Sequence, residues 1–117
     1  MPKVLLYYFP LYGRAEVIAQ LLSYAKVEWE FIPIDKDSLK KYQEEGKSEF
    51  GQAPFAEIDG KFYSQTDSIL RLLGRKHGLY PQEPEVAFEV DSAIDAHKDL
   101  VSAMIAVHFE QDMEKKK

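Results

Sequence analysis

The chain has 117 residues, which suits one domain, or one domain with an attached element, that can bury a core. It contains no cysteine, which excludes a disulfide scaffold, a cysteine-ligated zinc site, an iron–sulfur cluster and a protein thiol as nucleophile. The net charge of −5 disfavours nucleic acid as a partner. All of this excess negative charge lies in residues 83–117, so a boundary is expected between Pro81 and Pro84.

The hydropathy of the chain makes a membrane partner unexpected. No uninterrupted apolar run approaches the length of a membrane span. The first residues, Met-Pro-Lys-Val, do not have the pattern of a signal peptide. We therefore expect a cytoplasmic protein.

The beginning of the chain has the pattern of a strand, a helix and a second strand. Val4–Phe9 is short, apolar and aromatic, which is typical of a buried strand. After Gly13, apolar residues recur every three or four positions, as a helix requires. Residues 27–31 alternate between apolar and acidic side chains, which predicts a second strand that Pro33 ends or places at a sheet edge.

A hairpin is the clearest feature of the middle of the chain. Asp59-Gly60 separates two short strands, Phe55–Ile58 and Lys61–Tyr63, and this dipeptide is typical of a two-residue turn. The polar residues 35–49 that precede it indicate a loop with a short helix.

Two helices are predicted after the hairpin. The first has Thr66 or Asp67 as its N-cap and stops at Gly78. The second, residues 85–112, keeps helical spacing throughout and would be about 40 Å long. Part of it is too apolar to face water alone. The element order predicts an α/β fold with a mixed four-stranded sheet and flanking helices, followed by one long amphipathic helix.

Aromatic residues near the first turn form the first candidate site. Tyr7 and Tyr8 end the first predicted strand and lead into Gly13 and Arg14. A phenol at the carboxyl end of a strand, beside the N-terminus of a helix, can donate a hydrogen bond to an anion. The alternative is that both aromatic rings only pack within the strand.

Two further segments could bind a ligand. A proline directly before a strand, as at Pro54, can be cis and would then turn the backbone of Ala53 outward for a peptide-like ligand, although most such bonds are trans. Gln65 and Thr66 begin the helix after the hairpin, where free N–H groups suit a carboxylate. The alternative is that these residues only cap the helix.

No metal site is expected. His97 and His108 are eleven residues apart, which is wrong for a compact two-histidine site, and no HExxH motif is present. The glycine motifs of dinucleotide-binding, P-loop and α/β-hydrolase proteins are also missing from the sequence.

Four separated segments together resemble the amino-terminal domain of a cytosolic glutathione transferase, of the tyrosine-dependent classes near sigma, pi and mu. The segments are YFPLYGRAEVI (8–18), FGQAP (50–54), EIDGKFYSQTDSILRLLGRKHGLYP (57–81) and VDSAIDAHKDL (90–100). The resemblance implies a thioredoxin-like domain at residues 1–81. It also implies that residues 82–117 are the first helix of the family's helical domain, without the rest of that domain.

The resemblance implies glutathione as co-substrate and Tyr8 as the catalytic tyrosine. A hydrogen bond from the Tyr8 hydroxyl would favour the thiolate of glutathione, which would attack a small electrophilic apolar substrate. Phe109 matches an aromatic residue of the pocket for that substrate. The other residues implied to bind glutathione are Arg14, Lys47, Gln52, Ala53, Pro54, Gln65, Thr66 and Asp99.

These implied residues have separate roles. Gln52, the Ala53 backbone and Pro54 would bind the cysteinyl part, and Lys47 the glycine carboxylate. Gln65 and Thr66 would bind the γ-glutamyl carboxylate at the helix N-terminus. Asp99 would reach the γ-glutamyl amine bound by a neighbouring subunit. Because the apolar face of the last helix would lack its usual partners, we expect a homodimer that buries the helices at residues 85–112 together.

The sequence departs from the family's pattern at several positions. Tyr12 stands where an arginine is common, Thr66 replaces the usual serine, and the tryptophan after the second strand is missing. Much of the pocket for the electrophile would also be absent. The alternative function is therefore a non-enzymatic binding or dimerisation module with the same fold and little turnover. A disulfide oxidoreductase is excluded by the lack of cysteine, unless it works through glutathione alone.

Overall fold

The computed structural model describes residues 4–11 and 13–115, with side chains through Val107. The chain divides into two compact units, Met1–Tyr80 and Pro81–Lys117, which are described separately. In the first unit, a four-stranded sheet has the order β2-β1-β3-β4. The strands are β1 (Val4–Tyr8), β2 (Trp29–Pro33), β3 (Phe55–Ile58) and β4 (Lys61–Ser64).

Strand β1 pairs in parallel with β2 and antiparallel with β3, and β3 pairs antiparallel with β4. The sheet is therefore mixed, as predicted. The first unit also contains three helices, α1 (Glu16–Tyr24), α2 (Lys36–Glu44) and α3 (Thr66–Lys76). The second unit contains one long helix, α4 (Pro84–Lys115).

Residues of β1 alternate between the two faces of the sheet, and each face has its own apolar cluster. On one face, Tyr7 packs with Ile34 and Phe55, and Leu39 and Tyr42 of α2 and the loop residue Ala53 cover part of this cluster. On the other face lie Val4, Leu6 and Tyr8. Helices α1 and α3 contact each other. Their buried apolar residues are Ile18, Leu22, Ile69, Leu70 and Leu73.

The second strand begins later than predicted. The Val27 N–H donates to the Leu22 carbonyl at 3.0 Å, so this residue closes the end of α1 rather than joining the sheet. Strand β2 then runs to Pro33, which occupies a sheet edge, where a missing N–H costs no ladder hydrogen bond.

Helix α2 is the short helix predicted within the polar residues 35–49. Asp35 caps it: the Asp35 carboxylate accepts from the Ser38 N–H at 2.8 Å, and the Asp35 N–H donates to Ser38 Oγ at 2.9 Å. The hydrogen bond from the Ser38 N–H, and after it one from the Ser38 side chain, hold the pKa of the Asp35 carboxyl below its usual value. The reciprocal cap satisfies two backbone donors and gives this polar segment a defined start.

The turn predictions are confirmed where glycine is required. Asp59 and Gly60 both have positive φ, 50° and 85°, as expected for a tight hairpin turn. Gly78 directly follows the C-cap of α3 with φ of 71°, which matches its predicted role as the stop residue.

Helix α4 begins one residue earlier than predicted, because proline is well tolerated at the first position of a helix. Its apolar residues lie on more than one side. Val90, Ile94 and Ile105 are partly buried, whereas Leu100, Met104 and Val107 are more than half exposed. Among the described residues, no helix is both long enough and apolar enough to cross a membrane.

Candidate active site

Tyr8 is the last residue of β1 and is only 3% exposed. Its hydroxyl oxygen accepts a hydrogen bond from the Arg14 N–H at 3.2 Å. This main-chain donor lies in the turn before α1, where backbone N–H groups have no partner within the helix. Because an acceptor site of the oxygen is filled by the backbone, the phenolic proton remains the group that Tyr8 can offer to a ligand.

Tyr7 lies on the opposite face and is occupied by packing. Its ring stacks on Phe55, with centroids 4.6 Å apart and an angle of 7° between the planes. Burial raises the pKa of the Tyr7 hydroxyl, as do the nearby Glu57 carboxylate and a hydrogen bond to it. The alternative that a tyrosine ring only packs within the strand therefore applies to Tyr7.

The segment before β3 lies at the same end of the sheet as Tyr8. Since Tyr7 pairs with Phe55 in an antiparallel ladder, Pro54 lies beside Tyr8. The peptide bond between Ala53 and Pro54 is cis, and Pro54 is buried. The structure thus brings the segment Gln52–Pro54 to the end of β1.

A buried serine, not singled out from the sequence, holds this segment. The Ser48 side chain has no exposed surface, and its hydroxyl donates to the Gln52 carbonyl at 3.0 Å. The Ser48 carbonyl in turn accepts from the Gly51 N–H at 3.2 Å. The only sequence signal was a small hydroxyl residue four positions before Gln52, which is too common to indicate this contact.

Gln65 and Thr66 reach the same end of the sheet from β4. Ser64 pairs with Phe55, so the chain leaves β4 next to the segment that ends at Pro54. Gln65 is the N-cap of α3, with φ of 76° and no hydrogen bond from its side chain to the helix. The predicted caps, Thr66 and Asp67, are instead the first two helical residues, because the chain makes its turn one residue earlier.

The backbone of Gln65 is strained. A positive φ is uncommon for a residue with a side chain and costs of order 1–3 kcal/mol. Such conformations cluster at binding sites, where the surrounding structure maintains them. The exposed Gln65 side chain therefore stands at a helix N-terminus in a conformation that local propensity does not favour.

Lys47 has contacts on the Tyr7 face of the sheet. Its ammonium nitrogen lies 5.8 Å from the Tyr42 ring centroid, 5.6 Å from that of Phe62 and 3.4 Å from Glu45 Oε2. These contacts explain its position without a ligand, so binding of the glycine carboxylate by Lys47 stays a prediction.

Asp99 and Phe109 belong to α4, in the second unit. Asp99 is exposed on this helix. The Phe109 side chain and Tyr12 lie outside the described residues. Among the residues that the structure does describe, no three His, Asp or Glu side chains form a group that could hold a metal ion.

Curated relatives of this chain include several glutathione S-transferases. No protein-family model matches it. Glutathione S-transferase 2 of Manduca sexta is 38% identical over 112 residues, which are 96% of this chain and 54% of that protein. Glutathione S-transferase alpha-4 of Rattus norvegicus is 37% identical over 114 residues, which are 97% of this chain and 51% of that protein.

Solved structures of glutathione S-transferases are also similar to this chain in fold. Na-GST-3 of the hookworm Necator americanus, described as a monomeric glutathione S-transferase, matches with a TM-score of 0.72 and 36% identity. The match covers 85% of this chain and 47% of that one. The predicted thioredoxin-like fold is thereby confirmed. The chain spans about half the length of the curated relatives it matches, and it belongs to the glutathione S-transferase family.

Proposed function

We propose that this chain binds glutathione and that Tyr8 activates the glutathione thiol for transfer to an electrophile. One observation carries the proposal: the buried Tyr8 hydroxyl accepts a backbone N–H from Arg14 and keeps its own proton for a ligand. The names of the relatives support the same chemistry. A cysteine-free chain can then use a thiol because the co-substrate brings it.

The sheet register supports a site at the common end of β1, β3 and β4. A peptide-like ligand there has backbone groups of Gln52 and Ala53 to pair with. A carboxylate has the first N–H groups of α3, together with Gln65 and Thr66. Glutathione is a tripeptide with an exposed γ-glutamyl carboxylate and a central cysteine, so both kinds of contact suit it. Lys47, Asp99 and Phe109 keep the roles that the family resemblance implies.

Thiol activation follows from the hydrogen bond that Tyr8 can donate. A free thiol has a pKa of about 8.5, so only a few per cent is thiolate at neutral pH. A donor aimed at the sulfur stabilises the anion, and each unit by which the pKa falls corresponds to about 1.4 kcal/mol. The thiol proton leaves to solvent. The sulfur then forms a bond to an electrophilic carbon of an apolar substrate, and any leaving group departs with its bonding electrons.

We also propose that the chain forms a homodimer. The carrying observation is on α4, where Leu100, Met104 and Val107 are each more than half exposed. Exposed apolar residues at this spacing favour burial against another surface. Light scattering after size exclusion should give twice the chain mass, whereas a monomer at all concentrations would contradict this proposal.

The test of function is a glutathione titration of the purified chain. Calorimetry measures binding, and thiolate absorbance measures ionisation of the bound thiol across a pH series. We expect binding with a thiolate midpoint below that of free glutathione. Binding without a shift would contradict thiol activation but leave glutathione binding standing, and no binding would contradict the proposed function and favour the non-enzymatic module.

A further inference from the structure

Gly13 has a role that its backbone conformation does not explain. Four other glycines of the chain, Gly46, Gly51, Gly60 and Gly78, have positive φ, where a side chain is strained. The φ of Gly13 lies outside that region. Any L-residue could therefore adopt its backbone conformation, and the reason for glycine here has to be space.

The space beside Gly13 is occupied by the hydroxyl of Tyr8. A Cβ atom built on Gly13 would lie 2.6 Å from Tyr8 Oη and 3.4 Å from Tyr8 Cε2. It would also lie 3.1 Å from Leu11 Cδ1, but Leu11 is 57% exposed and its side chain can turn away. The Tyr8 hydroxyl is at the end of a rigid, buried ring, so relieving the clash requires moving the whole ring or the turn.

The same clash would disturb the hydrogen bond that Tyr8 accepts. Arg14, whose N–H reaches Tyr8 Oη, directly follows Gly13. The hydroxyl therefore sits against both residues of one short turn. Moving the ring away from a Cβ at position 13 would lengthen a contact that is already 3.2 Å.

We propose that Gly13 is a positioning residue for thiol activation. Because Gly13 has no side chain, the Tyr8 hydroxyl can lie against this turn and accept the hydrogen bond from the Arg14 N–H. This inference rests on the proposed function of Tyr8. It assigns to Gly13 the placement of the phenolic oxygen, and through it the direction in which the phenolic proton is offered to the glutathione sulfur.

The test is Gly13→Ala, measured by the pH midpoint of thiolate formation and by glutathione affinity below that midpoint. The midpoint should move toward that of free glutathione by about one unit or more, a tenfold change in ionisation. Affinity for the protonated thiol should change much less, because the peptide contacts are elsewhere. Gly74→Ala is the matched control: Gly74 is also buried with φ outside the left-handed region, and its added Cβ would contact Tyr80 at 3.3 Å.

A double-mutant cycle with Tyr8→Phe separates positioning from a general structural role. Without the hydroxyl, the nearest ring atom is 3.4 Å from the added Cβ, an ordinary contact. Gly13→Ala should therefore destabilise the parent chain, which has the Tyr8 hydroxyl, but should have little effect on the stability of the Tyr8→Phe variant. If Gly13→Ala alone does not fold, folding of the double variant carries the same information.

Each contrary outcome has a distinct meaning. An unchanged midpoint in Gly13→Ala, alongside a shifted one in Tyr8→Phe, would overturn the role of Gly13 and leave the proposed function standing. Equal destabilisation with and without the hydroxyl, or failure of both variants to fold, would also overturn it. An unchanged midpoint in Tyr8→Phe would instead overturn thiol activation by Tyr8.

Discussion

Two adjacent tyrosines on β1 face opposite sides of the sheet, and their hydroxyls have different surroundings. Tyr7 is 7% exposed and Tyr8 is 3% exposed, so burial does not distinguish them. The surroundings of their hydroxyls do. Burial and the nearby Glu57 carboxylate raise the pKa of the Tyr7 hydroxyl, whereas the Tyr8 hydroxyl accepts a hydrogen bond from a backbone N–H. A buried phenol can serve a ligand when the protein fills its acceptor side and leaves its donor free.

The largest expected effect is loss of the packing on the Tyr7 side. Phe55→Ala should lower the free energy of unfolding by about 3–5 kcal/mol, because a fully buried ring stacked on Tyr7 leaves a cavity. Urea denaturation measures this change. Phe88→Ala, at an exposed position of α4, is the control and should cost little. A loss below about 1 kcal/mol for Phe55→Ala would mean that this cluster contributes little to stability.

Next in size is the contrast between the two hydroxyl deletions in catalysis. Tyr8→Phe should lower the rate of glutathione conjugation by about 100-fold, as removal of a donor to a developing anion typically does. Tyr7→Phe should change the rate only a few-fold, since its hydroxyl faces Glu57. A standard electrophile assay at fixed pH compares them. Equal losses in the two variants would remove the functional distinction between the two faces.

The smallest expected effect is on stability at alkaline pH. Burial, with the charge of Glu57, raises the pKa of Tyr7 in the folded protein above its usual value near 10. The folded state then holds this proton more tightly than the unfolded state. The associated stability is fully present below about pH 10 and is lost as the pH rises through the folded pKa.

Urea midpoints measured from pH 8 upward test this pH dependence. Tyr7→Phe should show a shallower decline above pH 10 than the parent chain, while Tyr8→Phe should retain the steeper decline. Glu57→Gln should reduce the decline in part, because it removes a nearby negative charge but leaves the burial. The same slope in the parent and Tyr7→Phe would mean that another group controls alkaline unfolding.

Local sequence patterns were sufficient to predict the sheet and its hairpin. The apolar run of β1 and the Asp59-Gly60 turn are short-range signals, and the structure follows both. The predicted start of β2 at residue 27 was wrong, because the Val27 N–H donates to a carbonyl at the end of α1. The alternation of apolar and acidic side chains does not reveal this hydrogen bond. Helix α2 agrees with the short helix predicted in residues 35–49, and the reciprocal cap of Asp35 and Ser38 is a local signal that the sequence contains.

Residues of the candidate site could be predicted from the sequence only where the residue type itself indicated a binding role. Tyr8, Gln52 and Gln65 could be proposed from the family resemblance. The buried Ser48 hydroxyl could not, because its partner is a backbone carbonyl brought near by the folded loop. The positive φ of Gln65 was also unpredictable, since nothing in its side chain favours that conformation.

The register of β1 has a consequence for how the chain keeps one tyrosine at the site. A slip of the strand by one position would turn every side chain to the opposite face, and of positions 5 to 8 only one leucine and one tyrosine position would keep their residue type. In one direction of slip, Tyr7 would take the place of Tyr8 and Leu6 the place of Tyr7. The end of β1 would then still present a phenol, but the ring stacked on Phe55 would be lost. The stack of Tyr7 on Phe55 therefore also selects which of the two tyrosines ends the strand.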